Sequence, residues 1–226
     1  MVKILLVEDD PFIRDVLVYY FEKTETYSVT CASTAGEALG KARDAFDVIL
    51  LDILLPDANG IRLCEKLRKW HTCPIIFISC LDTSETIIEA LAVGGDDFVT
   101  KPFDNDVLIA RIEANLRRFA NSPFSGASNT IKHRNLVLDA DRHVLLKDNR
   151  EIKLSATEFR LLSFFMSHPN KHYTPRELYK NVWGSSCNGD SRTVLVHIYN
   201  LRQKVEDDPA NPQIIVMDWG EGYTLR

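Results

Sequence analysis

The sequence predicts an α/β chain in two parts: a doubly wound parallel sheet of five β/α units, then a second, smaller α+β domain. Three observations carry this expectation. Short apolar runs alternate with amphipathic stretches through the first half of the chain, and each run ends in a charged or hydroxyl residue. Residues Asn121 to Thr130 (N-S-P-F-S-G-A-S-N-T) are rich in Ser, Asn, Gly and Pro and lack periodicity, as a flexible linker would. Beyond them, strand candidates come first and helices follow. The predicted boundaries are 1–119, 120–130 and 131–226.

In chain order, Lys3 to Val7 reads as a short buried strand ending in Glu8, Asp9 and Asp10. Pro11 opens a helix with Ile13, Val16, Leu17, Tyr20 and Phe21 at helical spacing. The strand Tyr27 to Cys31 leads to Ser33 and Thr34, which can cap a helix carrying Ala38 and Leu39. Val48 to Leu51 is an unbroken apolar run, as expected of a strand buried on both faces, and it stops at Asp52. Pro56, Asp57, Asn59 and Gly60 turn the chain toward a helix over about 61–69. Two more units follow: a strand Ile75 to Ile78 ending at Ser79 with a helix over 87–93, and Phe98 to Thr100 ending at Lys101-Pro102 with a helix over 106–118.

In the second part, strands are expected at Leu136 to Leu138, Val144 to Leu146 and Glu151 to Lys153. Ser155 to Glu158 (S-A-T-E) is a capping box opening a helix that closes before Pro169. Thr174 to Glu177 is a second box, leading to Leu178, Val182 and Trp183. A third helix spans about 191–205, with Val194, Ile198, Leu201 and Val205 as its buried stripe. A hairpin with Gly220 and Gly222 flanking its tip closes the chain.

Composition excludes several classes. Apolar residues make up 45% and charged residues 26%, as in ordinary globular proteins, and no apolar run approaches the ~20 residues that cross a bilayer. Met1-Val2-Lys3 enters a strand, so no signal peptide and a cytoplasmic location are expected. The five cysteines are scattered without a C-x-x-C pair, which argues against a disulfide framework or a zinc site. The net charge of -5 divides unevenly: up to Asn121 there are 20 acids and 13 bases, and after it 12 acids and 14 bases. The second part is the one able to tolerate a polyanion.

The strand ends carry the chemistry. Glu8, Asp9, Asp52, Ser79 and Lys101 all fall at C-terminal ends of strands, where a doubly wound sheet opens its ligand crevice. Clustered carboxylates call for a hard cation such as Mg²⁺, which would screen a phosphoryl group while one carboxylate attacks phosphorus. Lys101 can neutralise a phosphoryl oxygen and Ser79 can hydrogen-bond one. On the third helix of the second part, Thr193, His197, Asn200 and Lys204 form a polar stripe beside the apolar one, with Arg192 and Arg202 nearby, and such a face suits a DNA major groove.

Residues 1 to about 119 resemble the receiver domain of two-component response regulators, through V-E-D-D, L-L-D-I-L-L-P-D-A-N-G, I-F-I-S and G-G-D-D-F-V-T-K-P-F. The resemblance implies that Asp52 accepts phosphate from a sensor histidine kinase. It implies Mg²⁺ held by Asp9, Asp52 and the backbone carbonyl of Leu54, with Glu8 acting through water. Ser79 and Phe98 become a switch pair, and Lys101 precedes a cis peptide to Pro102. The remainder resembles the winged-helix effector domain of the OmpR/PhoB branch, through L-S-A-T-E-F-R-L-L, R-T-V-L-V-H-I-Y-N-L-R-Q-K and G-E-G-Y. This implies that the 192–205 helix reads promoter DNA, that the wing near Trp219 lies over the minor groove, and that an activated homodimer binds a direct repeat.

Departures from the family pattern accompany these matches. Leu195 stands where an acid is usual, Asn200 where an arginine is common, and Trp219 where the wing usually carries an arginine. Asp97 and Arg111 match a dimer-face ion pair, but Glu89, Val107 and Glu113 do not match their expected partners, so dimerisation weaker than the family's is expected. Two other readings are DNA binding independent of phosphate, and a Mg²⁺-dependent phosphatase using an aspartyl-phosphate intermediate. The latter wants an acid two residues after the nucleophile, where this chain has Leu54.

Overall fold

The computed structural model describes residues 1–23, 25–120, 130–183 and 191–226, without the side chains of 118–120 and 191–192. The predicted linker and Cys187 lie largely or wholly outside these residues. Two compact units result, Met1–Arg117 and Arg118–Arg226. Among the described residues no helix is long and apolar enough to cross a membrane.

The first unit alternates strand and helix: β1 (Val2–Val7), α1 (Pro11–Glu22), β2 (Tyr27–Ala32), α2 (Ala35–Gly40), β3 (Val48–Leu51), α3 (Gly60–Leu67), β4 (Ile75–Ser79), α4 (Ser84–Ala92), β5 (Asp97–Thr100) and α5 (Asn105–Ala120). The strands pair in parallel in the order β2-β1-β3-β4-β5. A parallel sheet sandwiched between helices is apolar on both faces. All four residues of β3 are buried, and two apolar clusters flank the sheet: Leu5, Ile49, Leu51, Leu63 and Phe77 on one side, Ile4, Leu6, Phe21, Leu50 and Ile112 on the other.

Caps define where the helices begin. The Asp10 carboxylate accepts the amides of Phe12 (2.8 Å) and Ile13 (3.3 Å) at the start of α1, so this third acid of the V-E-D-D run is structural. Thr34 caps α2, and the Asp57 carboxylate, from the turn after β3, accepts the amides of Ala35 (2.8 Å) and Gly36 (2.9 Å). Those backbone bonds hold the Asp57 carboxyl below its ordinary value. The thiols of Cys64 and Cys73 are pushed up to about 12 by burial, which makes them packing groups rather than nucleophiles.

The second unit begins with a four-stranded antiparallel sheet, β6 (Thr130–His133), β7 (Leu136–Asp139), β8 (Val144–Lys147) and β9 (Arg150–Lys153), one strand more than the sequence pattern indicated. It is followed by α6 (Ala156–Ser167), α7 (Pro175–Trp183), α8 (Ser191–Val205) and the hairpin of β10 (Ile215–Asp218) and β11 (Gly222–Leu225). Both predicted capping boxes form. The Ser155 amide donates to Glu158 and the Glu158 amide to Ser155 Oγ, and Thr174 and Glu177 repeat the arrangement. Val194, Ile198, Leu201 and Val205 are buried against Phe159, Leu162, Leu178 and Trp183. Buried Glu206 ties α8 to the hairpin by accepting the amides of Gln213, Ile214 and Ile215 at 2.7–3.0 Å.

Candidate functional site

Strand register assembles the first site. Val7 pairs with Leu51, so the next residues, Glu8 and Asp52, emerge side by side at the sheet's C-terminal edge. Ser79 pairs with Thr100, which sets Lys101 one residue beyond, and the Lys101 amide donates to the Ser79 carbonyl (2.8 Å). Lys101 Nζ then reaches back across the edge to Glu8 Oε1 (3.0 Å) and Oε2 (2.8 Å) and to Asp52 Oδ2 (2.6 Å). The peptide from Lys101 to Pro102 is cis. Asp52 Oδ1 accepts the Leu54 amide (3.1 Å), and Leu54 is bridged to Asn59, so the loop after β3 curls over the carboxylate.

These charges sit out of water. Glu8 is fully buried and Asp52 nearly so, while Asp9 is exposed at the rim. Burial raises the Glu8 carboxyl above its ordinary value by more than Lys101 lowers it. Burial also pulls on the Lys101 ammonium, but the bonds to Asp52 and Glu8 and their charges outweigh it, and the group sits above the usual lysine value. One oxygen from each of Glu8, Asp9 and Asp52 lies within 4.8 Å of the others. An all-carboxylate donor set of this kind fits a hard divalent cation such as Mg²⁺.

Ser79 and Phe98, the expected switch pair, are placed differently from the other residues at the edge. Ser79 is fully buried and its Oγ accepts the Leu81 amide (3.4 Å). Phe98 is half-buried and stacks on Phe77 with centroids 6.2 Å apart. Asp97 and Arg111 pair with each other inside the chain, both oxygens at 3.2 Å, and Glu113 accepts the Tyr27 hydroxyl (3.1 Å). Glu113 is thus engaged within the first unit.

In the second unit the structure corrects the predicted base-reading face. His197 is 0% exposed and packs against Trp183 (centroids 5.4 Å), and Asn200 is buried too. Lys204 donates to Glu158 Oε2 (2.5 Å) and to the Lys153 carbonyl (3.1 Å). Arg202 donates twice to the Ile215 carbonyl and lies over the Tyr223 ring. Helix α7 therefore covers the polar stripe at His197 and α6 engages it at Lys204, while the hairpin holds Arg202 outside that stripe. Thr193 is half-buried, and the Arg192 side chain lies outside the described residues. The exposed arc of α8 instead carries Leu195 (41% exposed), Tyr199 (60%) and Gln203, with Val196 half-buried, and at the hairpin tip Trp219 is 93% exposed. The residue spacing hid this because the polar stripe and the Leu195–Tyr199 arc flank the apolar stripe at equal angles, about 100° to either side.

Comparison with known proteins agrees with both units. Residues 4–113 match the response regulator receiver domain, and residues 149–225 match the C-terminal domain of transcriptional regulatory proteins. A mutant of RitR is similar over 100% of this chain and 99% of its own, with 26% identity and a TM-score of 0.82. DrrB, an OmpR/PhoB homologue from Thermotoga maritima, is 28% identical over 100% of this chain and 99% of its own, with a TM-score of 0.52. A two-component response regulator from Clostridium difficile is 34% identical over 54% of this chain and 100% of its own, with a TM-score of 0.51. A receiver domain joined to a winged-helix DNA-binding domain defines a response regulator that controls transcription. The chain belongs to the OmpR/PhoB family of two-component response regulators.

Proposed function

We propose that Asp52 accepts a phosphoryl group from a sensor histidine kinase and that this controls how tightly the chain binds promoter DNA. The observation that carries the reading is the Lys101 ammonium bridging Glu8 and Asp52 at the sheet edge. An Asp52 oxygen attacks phosphorus while the phosphorus–nitrogen bond of the donor phosphohistidine breaks, and its electron pair leaves with the imidazole. Lys101, already at Asp52 Oδ2, holds a phosphoryl oxygen, and the Ser79 hydroxyl turns from the Leu81 amide to donate to another. Asp9, Asp52 and the Leu54 carbonyl would hold Mg²⁺, with Glu8 behind them, and the ion when bound screens the phosphoryl charge. An apolar cavity of about 480 Å³ beside Lys101, lined by Phe12, Ile13, Val16, Leu17 and Phe103, suits docking of the phosphodonor protein.

Movement of Ser79 and Phe98 then shifts the population toward a homodimer that places two winged helices on a repeated DNA site. The test is DNA binding, with fragments selected in vitro, for wild type and Asp52→Ala with and without acetyl phosphate and Mg²⁺. Acetyl phosphate should tighten wild-type binding about tenfold, within the usual range of coupling between sites, and leave Asp52→Ala unchanged. Equal tightening of both proteins, or of neither, overturns control through Asp52 while DNA binding stands.

The exposed arc of α8 changes what is read. Leu195, Val196 and Tyr199 offer methyl and ring contacts, suited to the C5-methyl groups of thymine in the major groove, and Gln203 is the exposed hydrogen-bonding side chain that follows them. Replacing thymine by uracil across the selected site removes only those methyls. Wild-type affinity should fall by about 1 kcal/mol, and Leu195→Ala should lose most of that sensitivity. Uracil DNA bound as tightly as thymine DNA overturns apolar readout.

A further inference from the structure

A second constellation of metal-ligating side chains lies in the second unit. His172, from the segment between α6 and α7, meets Asp218 at the end of β10 and Glu221 in the hairpin turn. His172 Nε2 is 2.6 Å from Asp218 Oδ2 and 3.4 Å from Glu221 Oε2, and one donor atom of each residue lies within 4.8 Å of the other two. A solvated ion-pair cluster would need none of the framework that holds these groups together. Tyr173 and Tyr223 exchange backbone hydrogen bonds, both 2.9 Å, which pins the residue next to His172 onto the hairpin. Gly222 makes that approach possible: its φ is +109°, and a Cβ there would fall 2.3 Å from the Tyr173 carbonyl oxygen. Arg226 Nη2 donates to Asp218 Oδ1 (2.6 Å) and Oδ2 (2.8 Å), fixing the carboxylate's orientation as an outer partner fixes a metal ligand.

We propose that His172, Asp218 and Glu221 form a site at the wing for a divalent transition metal, of which Zn²⁺ is the best match to one imidazole nitrogen and two carboxylate oxygens. The partly exposed position leaves room for water in the remaining coordination sites. A bound ion would tie the hairpin turn to the segment before α7 and cancel the charge of two acids beside Trp219. It thereby couples metal availability to the stiffness and charge of the wing.

Isothermal titration of the full chain with Zn²⁺, in excess Mg²⁺ to compete at the acidic edge of the receiver, tests this directly. One Zn²⁺ per chain should bind, and His172→Gln and Glu221→Gln should each weaken it at least about tenfold with circular dichroism unchanged. Asp52→Ala should bind as wild type does. Fluorescence of Trp219, next to a ligand, should change with the same midpoint, and Trp219→Phe should remove that change but not the heat. Zn²⁺ binding that survives both ligand substitutions, or no binding under Mg²⁺, overturns the site.

Discussion

Lys101→Met is expected to unfold the receiver more easily by about 3 kcal/mol in the absence of divalent cations, because it leaves Glu8 and Asp52 buried side by side without their shared cation. Methionine keeps most of the side-chain length, so the effect reports lost charge rather than a cavity. Two controls separate this from general damage. Mg²⁺ supplies the missing positive charge, so urea midpoints of variant and wild type should draw together as Mg²⁺ rises. The second control is pH. Glu8 already has a raised value through burial, and losing the ammonium raises it further. A raised folded-state carboxyl contributes stability that is present at low pH and lost as pH rises through its folded value, so the variant's deficit should be largest near neutrality and shrink on acidification. Phosphoryl uptake from acetyl phosphate should fall about 10²-fold or more even in saturating Mg²⁺, since the group proposed to hold a phosphoryl oxygen is gone. A deficit insensitive to both Mg²⁺ and pH would show that Lys101 acts through packing, and unchanged uptake would remove it from the chemistry.

That site was legible in the sequence because the fold converts order along the chain into proximity. A strand buried on both faces must be an unbroken apolar run, so its end is marked by the first polar residue, and parallel pairing brings those ends to one edge. Glu8, Asp52 and Ser79 are each such a residue, and Lys101 directly follows Thr100, the polar end of β5. The direction of Lys101, back to Glu8 as well as Asp52, depends on side-chain geometry that no spacing encodes. The winged helix shows the other limit. Val194, Ile198, Leu201 and Val205 announce a buried stripe, but what covers the flanks of that stripe is set by distant segments: Trp183 of α7 over His197, and Ile215 of the hairpin over Arg202. A helix packed on two sides buries more than one stripe. Leu195, noticed as a departure from the family, was the available sign that the exposed arc lay on the opposite flank from the polar residues.

Gly60→Ala is expected to cost about 3 kcal/mol and to disable the acidic edge together with the fold around it. Gly60 opens α3 in ordinary helical backbone, where alanine is normally the better residue, so a propensity argument predicts stabilisation. The structure reverses that sign. A Cβ on Gly60 would sit 2.0 Å from the Asp52 carbonyl oxygen, 2.8 Å from Ile53 Cα and 2.9 Å from the Asp52 carbonyl carbon, all backbone atoms with no rotamer to yield. The Gly60 amide also donates to the Ile53 carbonyl at 2.8 Å, so the close approach is held by a hydrogen bond that the methyl group would break. The N-cap, with Asn59 Oδ1 accepting the Ile61 amide (2.7 Å), anchors the start of α3 and leaves the segment from Asp52 to Leu54 as the part that moves. Displacing that segment shifts the Asp52 carboxylate from Lys101 and the Leu54 carbonyl from the proposed cation site. Thermal unfolding should drop by roughly 10 °C or more for a domain of this size, and acetyl phosphate uptake should be lost in the fraction that remains folded. Gly40→Ala, at a position where a Cβ meets nothing within 4 Å, serves as the matched control and should leave both measurements near wild type. If Gly60→Ala retained the wild-type melting temperature and phosphoryl uptake, the tight packing of α3 against the strand end would not be what positions Asp52.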